Sequence, residues 1–324
     1  ATYTIPAHNA PLDPAEVAAI KANYDDFRAV NREQIPASGA DSRILDESAL
    51  AVDEQTRRET YDLAWDRGGL FFVGAFNDIV FDLAANETAG DYVRGRISEI
   101  VENPDTAERL MPDTVIGCKR LCVDTDYYAT YNRPDVELVD VSDSPIDEIT
   151  PRGIRVGDRE WDLDAIVFAT GFDAMTGSLL KMNITGRDGV ALADAWAAGP
   201  RTYLGLGVVG FTTMFTITGP GRPSVLTNMM VSIEQHVECI ADCIADIDAK
   251  GLTSIEATPQ AQDDCVEFVN AVSDFTLDPQ CNSWYLGANV PGKTRVFMPL
   301  IGFPDYVTKC DEVAAADYEG FART

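Results

Sequence analysis

The spacing of apolar positions changes along this chain, and each change marks a different kind of element. The first hundred residues carry helix signals. Asp13-Pro14-Ala15-Glu16 combines an N-cap, a first-turn proline and a glutamate three residues past the cap, which predicts a helix over 13–32. A loop through Pro36 and Gly39 leads to a second predicted helix over 53–67, stopped by Gly68-Gly69. A third is predicted over 86–102, and Asn103-Pro104 starts a short one ending near Met111-Pro112. Helices that follow one another without strands between them read as an insertion in an α/β domain.

After Gly117 the period shortens to that of strands. Residues 118–122 open them, 136–141 alternate, and 146–150 and 153–156 follow, with Gly157-Asp158 turning a hairpin into 159–163. Ala165-Ile166-Val167-Phe168-Ala169 is apolar without alternation and ends at Thr170-Gly171, the pattern of a parallel strand buried on both faces. Such strands carry ligands at their carboxyl ends, where glycine lets a backbone approach closely. Further short strands are predicted at 202–206 and 214–218, then a rigid turn at 219–223. A long helix is expected over 226–250, with Met230, Ile233, Val237, Ile240, Ile244 and Ile247 as its inward stripe and Gly251 as its stop. A helix over 258–277, a strand over 295–300 and a last helix over 310–318 complete the pattern.

Composition narrows the setting. With 324 residues the chain is long enough for two domains. Its 25 basic and 53 acidic residues, net charge −28, argue against nucleic acid or an anionic membrane as partner. No apolar run approaches the roughly 20 residues of a membrane helix, and the N-terminal segment lacks the pattern of a signal peptide. Seven cysteines, an odd number without a CxxC pair, read as reduced thiols of a cytoplasmic protein; with two histidines, a zinc site is not expected.

Two nucleotide-binding patterns fail on context. Gly205-Leu206-Gly207-Val208-Val209-Gly210 fits GxGxxG, yet the β-branched and aromatic residues after it cannot open the helix that would hold a pyrophosphate. Gly287–Thr294 fits GxxxxGK[ST] but leads into 295–301, strand-like and broken by proline, so a P-loop NTPase is only a distant alternative. His236, mid-helix, reads as a packing residue, and Trp284 and Tyr285, taken alone, as core. Lys119-Arg120 is different chemistry: a point charge suited to phosphate beside a fixed fork suited to an oxyanion.

Several segments taken together carry a resemblance. ATGFD at 169–173, CKRLCVDTDYYATYNRPDV at 118–136, WAAGPRTYLGL at 196–206, SIEQHVE at 232–238 and SWYLGANVPGKTRVF at 283–297 resemble the Baeyer–Villiger monooxygenases of the phenylacetone and cyclohexanone type. The resemblance runs in order over essentially the whole chain. It implies an α/β, three-layer FAD/NAD(P)-binding Rossmann-like flavoprotein of two domains with a helical insertion, divided here into an NADP-binding part at 1–172 and an FAD-binding part at 173–324. It implies FAD and NADP(H) as cofactors and a ketone and O2 as partners. NADPH reduces the flavin, a flavin peroxide forms and attacks the ketone, and an ester or lactone results. It also implies roles for residues. Arg120 matches the catalytic arginine and Lys119 the contact to the 2′-phosphate of NADP. Thr170 and Gly171 fall on the cofactor-binding strand end, and Trp284 on a loop folding over NADP. Pro223, Ser224, Val225, Leu226 and Met229 fall beside the substrate. Neither glycine fingerprint of the family, nor the FxGxxxHxxxW signature, nor the aspartate partnering the active-site arginine has a counterpart here. The chain, which begins with Ala, is therefore expected to be a C-terminal portion that works with a missing N-terminal segment of the same enzyme. A non-catalytic remnant of the fold, acting as a binding module, is the alternative.

Overall fold

A computed structural model describes residues 2–35, 37, 43–222, 227–288, 290–292 and 302–324. The first body is built on a parallel pair, β1 (Thr4–Pro6) and β2 (Cys122–Asp124), in register Thr4↔Cys122. Parallel neighbours need a long crossover, and here it is helical. It runs through α1 (Pro14–Ala22), α2 (Tyr24–Glu33), α3 (Glu54–Arg67), α4 (Leu83–Ile100) and α5 (Pro104–Leu110). The caps were legible in part. Asp13, Asp53 and Asn103 each accept a hydrogen bond from a backbone N–H of the first turn, and Asp82 does the same for α4, whose start lies earlier than the predicted residue 86. The predicted helix over 13–32 is broken at Asn23, where φ is −133°. Gly68 closes α3 with φ +67°, in a place where a Cβ would stand 2.3 Å from the Pro6 carbonyl oxygen. Ile5, Tyr61, Phe72, Ile79, Val93, Ile97 and Ile116 fill the core between these helices and the parallel pair.

A short helix α6 (Tyr127–Thr130) follows β2, and an antiparallel sheet follows it, in order β3 (Glu148–Ile149), β4 (Gly153–Val156), β5 (Arg159–Asp162). The hairpin is as predicted. The expected strand over 136–141 is not formed, and of 118–122 only Cys122 enters a ladder.

The second body starts with the short helices α7 (Gly177–Lys181) and α8 (Leu192–Ala195) and centres on α9 (Met229–Ala249). β6 (Ile255–Ala257), α10 (Pro259–Asp274), α11 (Phe303–Ala315) and β7 (Phe321–Arg323) follow, with β6 and β7 paired antiparallel in register Ile255↔Arg323. Tyr203, Leu204, Leu206, Tyr306, Cys310 and Val313 form its largest core cluster. α2 reaches across to this body, with Arg28–Glu234 at 2.8 Å and Arg32–Glu238 at 3.0 Å.

Four further expectations are corrected. Residues 165–169 form no strand; Val167 is 87 % and Phe168 66 % exposed, because among the described residues no strand pairs with them and no layer covers them. Residues 202–206 and 214–218 are turns, with only a single bridge, Tyr203↔Gly207. The stripe predicted to face inward on α9 is partly solvent-facing, with Met230, Val237 and Ile244 exposed, while Ser232, Gln235, His236, Cys243 and Ile247 are buried. Finally, α11 begins seven residues before the predicted 310. The strand expected at 295–300 lies outside the described residues.

Candidate functional site

The segment 112–120 is held from several sides. Tyr3 Oη donates to the Thr114 carbonyl at 2.9 Å, and Arg94 Nη1 donates to Tyr3 Oη at 2.8 Å and to the Pro112 carbonyl at 3.2 Å. Asn86, buried on α4, does more. Its Nδ2 donates to the carbonyls of Ile79 (2.7 Å) and Ile116 (2.8 Å), and its Oδ1 accepts from the Ile116 N–H at 3.0 Å. A disulfide between Cys118 and Cys281 adds a covalent tie, which corrects the expectation of uniformly reduced thiols; the other five cysteines are free. The sequence could not show this pairing, because the partners are 163 residues apart and neither sits in a recognisable spacing.

This pinned segment delivers Lys119, half-buried, and Arg120, exposed, immediately before β2. Among the described residues neither forms an ion pair. Arg28, Arg94, Arg133, Arg155, Lys250 and Arg323, among others, are matched to carboxylates, whereas Lys21, Arg57, Arg67, Arg109 and Lys181, like Lys119 and Arg120, form no ion pair among the described residues. In a chain of net charge −28, two adjacent cations left without carboxylates form a local positive site within an acidic field.

The segment tied to it by Cys281 contributes a short 3-10 turn, Trp284–Leu286, capped by Ser283, with the Trp284 and Tyr285 rings 4.3 Å apart. Tyr285 is 5 % exposed and its Oη has no hydrogen-bond partner. Burial pushes its phenol up to about 12, partly offset by the charge of Arg120. The hydroxyl thus stays protonated at neutral pH, a donor close enough to Arg120 to feel its charge. Tyr285 is core, as its sequence context predicts, but its unpartnered buried hydroxyl is visible only in three dimensions.

Thr170 and Gly171 are both exposed, and nothing lies within 4 Å of where a Gly171 Cβ would be. Of the substrate-side residues, Pro223, Ser224, Val225 and Leu226 lie outside the described residues. Met229 opens α9 half-exposed, its Sδ accepting from Arg222 Nη2 at 3.1 Å. Arg222 is buried, and that burial lowers its guanidinium to about 10. Behind it, His236 is 0 % exposed and Nδ1 accepts from the Thr218 N–H at 3.0 Å. Tyr306 Oη lies 2.9 Å from Nε2 and donates its own proton to the Leu204 carbonyl at 2.7 Å, so the imidazole proton is on Nε2. His236 is a packing residue, as expected, and it braces the turn that ends at Arg222.

The GxGxxG match is also settled. Gly205 has φ +68° and packs against Arg222, where a Cβ would lie 2.7 Å from its Cβ, and no helix begins at Gly210. In the GxxxxGK[ST] match, Asn289, Lys293 and Thr294 lie outside the described residues. Among those described, no group of histidine, cysteine or carboxylate side chains is placed to hold a metal ion, and no helix is long and apolar enough to cross a membrane.

The parallel pair with its helical crossover thus carries a cationic segment tied by a disulfide to an aromatic turn. Comparison with known proteins takes the assignment further. A Baeyer–Villiger monooxygenase of Pseudooceanicola batsensis is 39 % identical over 327 residues, covering 100 % of this chain and 59 % of the relative. Cyclohexanone 1,2-monooxygenase of an Acinetobacter species is 36 % identical over 325 residues, with 99 % and 59 % covered. Among solved structures, oxidized steroid monooxygenase bound to NADP superposes with a TM-score of 0.92 at 47 % identity, covering 100 % of this chain and 60 % of that one. A complex named OTEMO with FAD and NADP gives 0.94 at 33 % identity, with 100 % and 60 % covered. No family profile matches the chain. Over the part that it spans, about three-fifths of the relatives' length, the chain belongs to the Baeyer–Villiger monooxygenases.

Proposed function

We propose that this chain supplies the nicotinamide-side and oxyanion-side residues of an FAD- and NADPH-dependent Baeyer–Villiger monooxygenase, converting a ketone and O2 into an ester or lactone. The observation that carries the reading is the adjacent cation pair Lys119-Arg120, without carboxylate partners among the described residues and on a segment held in place by Asn86, Tyr3 and a disulfide. Fixed positive charge aimed at a place where negative charge develops is the largest common contribution to catalysis of this kind.

The residues fit NADP better than they enclose a flavin. Lys119 would meet the 2′-phosphate as a point charge, and Trp284 would cover the cofactor from the turn at 283–286. Thr170 and Gly171 offer an open edge, which suits one wall of an FAD site. When bound, the flavin supplies the oxygen activation and the nicotinamide the hydride. Arg120 would hold the negative charge that builds up next to the ketone, and the 223–226 segment with Met229 would line the ketone's side. In this reading residues 1–172 belong to the NADP-binding part and 173–324 to the FAD-binding part. The exposed run 165–172 would pair with strands from the remainder of the family's length, a segment acting as this chain's partner. A cytoplasmic setting, where NADPH is available, completes the proposal.

The test is ester formation from a panel of cyclic, linear and aryl ketones by the flavin-loaded protein with NADPH under air. Arg120→Ala should lower it about 100-fold while leaving flavin content unchanged. Full ester formation by the Arg120→Ala protein would sink the assignment of that residue, and absence of ester from every ketone would sink the activity.

A further inference from the structure

The disulfide joins the two segments on which the proposed site depends. Cys118 precedes Lys119-Arg120 directly, and Cys281 precedes the capped Trp284–Leu286 turn by two residues. Beside this bond, further contacts join the described residues of 277–292 to the first body, and Cys281, Ser283, Tyr285 and Leu286 are buried. Leu277 N–H donates to the Val80 carbonyl at 3.1 Å, and Leu286 packs with Val115 and the two cysteines in a small separate cluster. The remaining hydrogen bonds of the turn are internal: Leu286 N–H to the Ser283 carbonyl, Gly287 N–H to that of Trp284, Tyr285 N–H to Ser283 Oγ. The turn therefore has internal hydrogen bonds that do not depend on the disulfide, and the covalent bond ties it directly to the segment that carries Lys119 and Arg120.

We propose that Cys118–Cys281 is a reversible redox strap that holds the Trp284–Tyr285 turn against the Lys119-Arg120 segment and releases it on reduction. In the cytoplasmic setting proposed above, a disulfide is normally redox-sensing. Reduction by a dithiol proceeds by attack of its thiolate on one sulfur, cleavage of the S–S bond to a mixed disulfide, and closure of the reductant's own disulfide. Two electrons and two protons end on Cys118 and Cys281. Re-formation takes a hydroperoxide: one thiolate attacks its distal oxygen to give a sulfenic acid and an alcohol or water, and the second thiol displaces water. Both cysteines are buried, so either reaction requires the turn to open first, which couples the redox step to movement of Trp284 and Tyr285.

The assignment of Arg120 and Trp284 to the cofactor, and the cytoplasmic setting, rest on the function proposed above; the strap's response to reduction can be read without cofactor or ketone. Amide hydrogen exchange followed by mass spectrometry on the purified protein, after hydrogen peroxide or after dithiothreitol, with thiols counted under denaturing conditions, provides the test. The oxidised sample should show five free thiols and a linked 118–281 peptide pair, the reduced sample seven. Exchange in 282–288 should rise about tenfold on reduction, with α4 and α9 unchanged. Cys118→Ser and Cys281→Ser should show the fast exchange in both conditions. Seven thiols after peroxide, unchanged exchange in 282–288, or exchange rising throughout the molecule would each overturn the proposal, the last by making the bond a global staple.

Discussion

His236 shows how much one buried side chain can be made to do by its neighbours. Its Nδ1 is already an acceptor for the Thr218 N–H, so protonation would set two donors against each other inside a packed core. Burial first, and then the charge of Arg222, hold the imidazole down to about 4 against 6.5 when unfolded. Between these values the unfolded state binds the proton and the native state does not. Stability contributed by the neutral ring is thus complete above pH 6.5 and falls by about 3 kcal/mol as pH drops to 4. NMR titration of the ring should give a midpoint near 4; a midpoint near 6.5 would mean the brace is open. Asn86 is the second decisive residue. Asn86→Ala removes three hydrogen bonds and leaves the Ile116 N–H and two carbonyls buried without partners. A loss of about 3 kcal/mol in chemical unfolding is expected, since each unmet buried group costs about 1–3 kcal/mol. A loss below about 0.5 kcal/mol, the range of ordinary surface changes, would remove Asn86 from the account.

At the level of elements, α9 is the most informative. Its sequence shows an apolar stripe, but the protein buries a face of Ser232, Gln235, His236, Cys243 and Ile247 and leaves Met230, Val237 and Ile244 exposed. Met230→Lys should therefore change stability by no more than about 0.5 kcal/mol, whereas Ile247→Ala should cost about 3 kcal/mol. Equal effects in thermal unfolding would restore the stripe as the packed face. The same logic separates what the sequence made legible from what it did not. The cap at Asp13, the helix starts at Asp53 and Asn103 and the turn at Gly157-Asp158 are local chemistry, and they fold as the sequence predicts. The run 165–169 depends on partners beyond its own residues, and apolar composition alone cannot make a strand without a ladder. Lys119 and Arg120 are legible as chemistry; that they lack carboxylates among the described residues, and that Asn86, Tyr3 and Cys281 converge on their segment, follows only from the folded arrangement.

Across the whole molecule, the parallel pair with its helical crossover and the body around α9 are linked by α2 and by the Cys118–Cys281 bond. The bond closes a loop of 163 residues. The acidic surface, net charge −28, makes the cationic pair at 119–120 the feature on which the functional account turns. Calorimetric affinity for NADP+ against NAD+, in wild type and in Lys119→Ala, tests that account most directly. NADP+ should bind about tenfold or more tightly than NAD+, as a charge-assisted contact to the extra phosphate requires, and Lys119→Ala should abolish the difference. Equal affinities in the wild-type protein, or a preference that survives in Lys119→Ala, would contradict it.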